Sequence, residues 1–228
     1  MQHGCHETVE QAGRASPYSR VQQLGDCHAT IGNYAQAKRH YERAATLAPD
    51  EPHPYVGLGV VALLNHHNED AELAFSVARR LDPACSKAYA GLALVEQERG
   101  HYKTAFDLYL QSLELGTDNL TALLGLFQTS CQMGSFCEVT HYLQAYLTSH
   151  PTDGSVLFCL ATLHMRDGRL DQARRILADL VALEPGNHDA ANLLEEIDHT
   201  LVRRDRGQPD ASAIVADLPR GSVKPKTV

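Results

Sequence analysis

The sequence predicts an all-α fold built from stacked helix-turn-helix units, and three features predict it. A pattern of apolar and small residues returns every 34 residues from position 18 onward. Each copy holds two stretches whose apolar positions follow the helical spacing of three and four. Proline closes most copies, at 49, 83, 151 and 185, and only Thr117 departs from that rule. Self-similarity over this length marks a repeat architecture, in which one copy cannot bury its apolar face and the stack folds as a whole.

Taken in order, residues 1–17 are expected as an N-terminal extension without the apolar run of a cleaved secretory signal. Five units then follow at 18–51, 52–85, 86–119, 120–153 and 154–187. Leucine holds one place in their first helices, at 24, 58, 92, 126 and 160, and again at 194. Gly25, Gly59, Ala93 and Ala161 are small where the first helix approaches the second. Ala37, Ala71, Ala105 and Ala173 are small on the facing side, so the two backbones can close to the short end of the usual range of about 8–10 Å. Tyr41, Phe75, Tyr109, Leu143 and Leu177 supply one large side chain per second helix. Gly32, Gly100, Gly134 and Gly168 mark the turns, and in the second unit "NHHN" takes that place. There Asn65, His66 or Asn68 must provide any left-handed backbone, and the adjacent histidines read as a turn.

The fourth unit is expected to be irregular, because Phe127 replaces the small residue, Val139 the alanine, and Tyr146 stands where Ala44, Ala78 and Ser112 stand. Two bulky insertions cannot share the common helix spacing without strain. Residues 188–204 are expected as one capping helix. A following hairpin would bury Glu195 and Asp198 unpaired, whereas a solitary solvated helix does not. Residues 205–228 are expected as a flexible tail, within which "SAIVADLP" (212–219) is a short apolar segment.

Composition narrows the function classes. The formal net charge of −8 argues against a nucleic-acid partner, and no apolar run is long enough for membrane insertion. The six cysteines, at 5, 27, 85, 131, 137 and 159, never form a C-x-x-C pair and read as reduced thiols of a cytoplasmic protein. Cys131 and Cys137 span the turn of the fourth unit and are read as structural thiols rather than a redox pair. No metal site is expected, since nothing in the repeat register places a third ligand beside His66 and His67. The N-terminal "MQHGCH", with His3, Cys5 and His6, has a pattern able to wrap square-planar Cu(II) or Ni(II), but such a stretch arises by chance often enough to carry no assignment. Without a phosphate loop, zinc signature or nucleophile elbow, no enzyme activity and no cofactor is expected.

The 34-residue unit with its small residue, two alanines, aromatic and terminal proline resembles the tetratricopeptide repeat family over residues 18–187. That resemblance implies a right-handed α-solenoid superhelix whose first helices line a concave groove. Carried onto this sequence, the groove residues are Gln22, Asp26, His53, Val56, Val60, Leu63, Lys87, Leu94 and Glu98, followed by Leu124, Gln128, Phe158, Thr162, Met165, Arg166 and Asn192. Its middle is apolar, through Val56, Val60, Leu63, Leu94, Leu124, Phe158 and Met165. The clamp that some members use for the C-terminal carboxylate of chaperones is absent, because only Lys87 matches it. The implied function is a non-enzymatic adaptor or client-binding chaperone that docks a peptide or amphipathic helix. The alternative is a structural scaffold, with homo-oligomers assembled through the ends of the array.

Overall fold

The structure, a computed structural model, describes residues 16–134 and 136–205. Among these, eleven α-helices follow one another. They are α1 (Pro17–Thr30), α2 (Tyr34–Leu47), α3 (Pro52–Leu64), α4 (Asn68–Leu81), α5 (Ser86–Glu98), α6 (Tyr102–Leu115), α7 (Leu120–Met133), α8 (Cys137–Ser149), α9 (Gly154–Arg166), α10 (Leu170–Leu183) and α11 (His188–Asp205). Local chemistry sets their ends. The side chains of Ser16, Asn33, Asn119 and Asp153 each accept a backbone N–H from the first turn of α1, α2, α7 and α9, donors that a helix N-terminus otherwise leaves unpaired. Pro17 and Pro52 open α1 and α3, where the missing N–H is not needed.

The turns need one left-handed residue each. Gly32, Gly100, Gly134 and Gly168 supply it with φ of 76°, 80°, 72° and 73°, and His66 supplies it between α3 and α4 with φ of 59°. Of the three residues the sequence left open, His66 takes the strained conformation.

The described chain packs as two compact units that meet in sequence between His101 and Tyr102. In the first, made of α1 to α5, aromatic rings lock successive helices together. Tyr41 of α2 is 4% exposed. A Cβ on Gly25 of α1 would fall 2.7 Å from its ring, and one on Gly57 of α3 would fall 2.6 Å away. Phe75 of α4 is held in the same way between Gly59 of α3 and Gly91 of α5. The ring therefore fills the space of two absent side chains, one in its own hairpin and one in the next helix. On the surface Arg99 donates to Glu72 of α4 at 2.6 Å and to Glu96 at 2.9 Å, so it ties α4 to α5. Burial alone would raise the Glu96 pKa, but its bonds from His101 and Arg99 hold it below the ordinary value.

In the second unit, α6 to α11, the Tyr109 ring lies against Gly125 of α7 in the same arrangement. The α7–α8 hairpin makes far fewer close backbone approaches than α9–α10. Phe127, Val139 and Tyr146 are all buried there, so the bulky side chains separate the helices, as their volumes require. At the other end, Ala161, Ala173, Leu177, Leu180, Ala190, Leu193 and Ile197 form one apolar cluster joining α9, α10 and α11. Glu195 remains exposed on α11, and Asp198 stays partly solvated while pairing with Arg174. The leucines of the repeat register track their neighbours: Leu92, Leu126 and Leu160 are buried, whereas Leu24 on α1 is 48% exposed.

Candidate protein-interaction face

The first helices of the hairpins are neighbours within each unit. In the first unit α3 touches both α1 and α5, and in the second α7 touches α9. Side chains off the leucine–alanine stripe therefore gather on a face of each unit.

In the first unit that face carries Asp26, His53, Val60, Lys87 and Glu98 exposed and Gln22, Val56 and Leu94 half-buried. Val60 keeps 40% of its surface in solvent. Asp26 is already engaged, since the Tyr41 hydroxyl donates to its Oδ1 at 2.8 Å. Burial, and then the bond to Asp26, push the Tyr41 phenol well above its ordinary pKa, which keeps it a neutral donor. Leu63 departs from the expected lining. It is only 9% exposed, in the last turn of the helix that touches two neighbours.

In the second unit Leu124, Gln128, Phe158 and Arg166 are half-buried and Asn192 is exposed. Arg166 stacks its guanidinium 5.2 Å from the centroid of the Phe136 ring. Two expected lining residues are interior instead. Met165 is 4% exposed within the α9–α11 cluster, and Thr162 is 6% exposed. The Thr162 hydroxyl donates to the Phe158 carbonyl at 2.9 Å, so its polar group is satisfied on its own helix. Met165 lies where α10 and α11 close over α9, and it shares its repeat position with Leu63, another expected lining residue found buried. Phe158 packs against the edge of the same cluster.

A second surface lies at the end of the array. An open recess of about 440 Å³ runs along α10 and α11, with Val181, Leu194 and Val202 as its apolar lining and Glu195 and Asp198 beside them.

Among the described residues no group of three or more His, Cys, Asp or Glu side chains could hold a metal ion. Cys27, Cys85, Cys131 and Cys159 are free thiols, and burial pushes Cys159 up to about 12. The "MQHGCH" stretch, the Cys137 side chain and the segment 212–219 lie outside the described residues. No helix among the described residues is long and apolar enough to cross a membrane.

What reasoning from the sequence passed over is a second set of small residues. Gly57, Gly91 and Gly125 each receive the aromatic ring of the preceding hairpin. Their signal was present, because they recur at the same 34-residue period.

Comparison with known proteins agrees with this architecture. Two tetratricopeptide repeat family models match, over residues 23–84 and 138–197. Superkiller complex protein 3 of Mus musculus is 32% identical over 89 residues, which are 39% of this chain and 6% of that protein. Cellulose synthase operon protein C of Xanthomonas axonopodis pv. citri is 27% identical over 167 residues, 70% of this chain and 11% of that protein. The match thus spans a small fraction of either relative. Among solved structures, pilF of Pseudomonas aeruginosa superposes with a TM-score of 0.70 at 21% identity, covering 82% of this chain and 86% of that one. A thermophilic TPR protein of Thermus thermophilus, TTC0263, gives 0.60 at 18% identity over 79% and 98% of the two chains. YrrB, a TPR protein described as having an unusual peptide-binding site, gives 0.57 at 17% identity over 82% and 94%. These folds are all-α solenoids of helical hairpins, and with five units in unbroken register and two family matches, the chain belongs to the tetratricopeptide repeat family.

Proposed function

We propose that this protein is a non-enzymatic adaptor or client-binding chaperone that docks a peptide or an amphipathic helix on its first-helix face. One observation carries the reading: Val56, Val60 and Leu94 in the first unit, and Leu124 and Phe158 in the second, keep apolar surface in solvent off the core stripe. Exposed apolar side chains gathered on a face of each unit favour a protein partner, and within a unit they suit an amphipathic helix or a peptide with apolar anchors. In the first unit Asp26, His53, Lys87 and Glu98 provide polar groups to orient it, and in the second Asn192 does. The four free thiols favour a reducing, cytoplasmic setting.

The test is selection of displayed peptides against the intact chain, followed by binding to single variants. Val60→Glu and Leu94→Glu should abolish binding of the selected peptides. Leu73→Glu, at a residue 67% exposed on the second helix α4, should leave it intact. Loss with Leu73→Glu and retention with the other two would move the site to the second-helix side. The α10–α11 recess supports the alternative of end-to-end self-assembly. Under that reading sedimentation of the intact chain would show concentration-dependent oligomers that Leu194→Glu dissolves.

A further inference from the structure

The helix α11 runs longer than its counterparts in the earlier hairpins. It holds 18 residues where α9 holds 13, and it continues through Val202, which repeats the position of the turn glycines Gly100, Gly134 and Gly168. No described helix follows to cover this added length. Val202 is 46% exposed, and Leu194, at the place where Leu126 and Leu160 are buried, is only half-buried. Both line the open recess of about 440 Å³ along α10 and α11, with Val181 supplied by α10. Its charged lining is acidic. Asp198 is held by Arg174, but among the described residues Glu195 meets only His199, at 3.6 Å.

The chain beyond Asp205 carries a segment that fits this recess. Ala211, Ile214, Val215 and Leu218 stand at spacings of three and four, which make one apolar stripe of a short helix. Asp210 precedes the stripe as a capping residue does, and Pro219 follows it, where a helix stops. Between α11 and the stripe lies "RGQPD" (206–210), whose Gly207 and Pro209 punctuate turns. Fully extended, that link reaches about 17 Å, ample to cross the spacing of about 8–10 Å between packed helices and reverse direction. Residues 211–218 then cover about 12 Å as a helix, and the α11 side of the recess, from Val202 back to Ala191, is about 16 Å long. Charge agrees with this direction. Residues 219–228 hold Arg220, Lys224 and Lys226 and no carboxylate, so cations follow the stripe where the recess presents acids.

We propose that residues 211–218 fold back as a short helix into the α10–α11 recess and cap the open end of the array, with Ile214, Val215 and Leu218 against Leu194 and Val202. A segment on so short a tether acts at an effective concentration on the order of millimolar, so a weak contact keeps the recess covered. A second copy, or any other partner at that end, must first displace it. This cap does not depend on peptide docking at the first-helix face.

The test uses the full chain with Val215 replaced by the photo-crosslinker p-benzoylphenylalanine, illuminated over a range of protein concentrations and mapped by mass spectrometry. Links are expected within one chain, to α10 or α11 around Val181, Leu194 and Val202, at a yield independent of concentration. Adding Ile214→Asp and Leu218→Asp should cut that yield severalfold. Amide hydrogen exchange supplies a second readout without the crosslinker. In the full chain carrying Ile214→Asp and Leu218→Asp, the last two turns of α11 should exchange severalfold faster than in the parent, with α1 and α2 unchanged. Links to the first-helix face, links chiefly to a second copy, or equal exchange of α11 in variant and parent would overturn the assignment.

Discussion

Phe75 shows how much of this fold is decided at single positions. Its ring is 1% exposed and is wedged between Gly59 and Gly91. Neither wall can receive a methyl group without moving the ring into the other. Gly91→Ala should therefore destabilise the chain by about 1–3 kcal/mol, the usual cost of overpacking, measured by urea denaturation. His66 makes the opposite case. Left-handed backbone costs a non-glycine residue roughly 1–2 kcal/mol, and glycine returns part of that gain through unfolded-state entropy. His66→Gly should thus stabilise by about 0.5–1 kcal/mol. The position of that turn was legible from the 34-residue register, but the choice among Asn65, His66 and Asn68 was not, because all three tolerate the conformation. His164 adds a pH dependence. Its folded pKa is lowered, so below its ordinary value of about 6.5 the unfolded chain binds the extra proton and stability falls with pH. Between about pH 7.5 and 5.5 the parent should lose more stability than His164→Gln, each compared with its own value at the upper pH.

At the level of the helix, the register predicts which side of each element is core, and Leu92, buried on α5, follows it. Leu92→Ala should cost roughly 2–5 kcal/mol as a buried large-to-small change. The register also foretold the loose fourth hairpin, since Phe127 and Tyr146 are too large for the common spacing. Amide hydrogen exchange should find α7 and α8 opening before α9 and α10, because fewer close contacts hold them. The register could not see what happens where an element is covered by a later one. Thr162 repeats the position of the exposed Asp26 and Val60 and is nevertheless buried, whereas Met165, which α10 and α11 cover, shares its repeat position with Leu63, buried as well. Leu63 is buried for a related reason, since α3 has neighbours on both sides. A charged residue at Leu63 or Met165 should consequently unfold its unit rather than merely block a partner.

At the scale of the whole chain, family membership was legible because it rests on many weak positions that agree. A partner was not, because it is written in side chains that the fold leaves free to vary. What the sequence did convey is the division of one residue type between two tasks. Leu92 and Leu94 stand two places apart on α5, one buried in the core and the other half in solvent on the first-helix face. The same charge introduced at each gives the most direct measurement of the central claim, with thermal melting and selected-peptide binding recorded for Leu94→Glu, Val60→Glu and Leu92→Asp. Leu94→Glu and Val60→Glu should melt close to the parent, within about 0.5–1 kcal/mol as surface changes do, and should lose the peptide. Leu92→Asp should unfold the first unit, because it buries an unpaired charge. If Leu94→Glu proves as destabilising as Leu92→Asp, or if both surface variants stay folded and still bind, the first-helix face is not where this protein meets its partner.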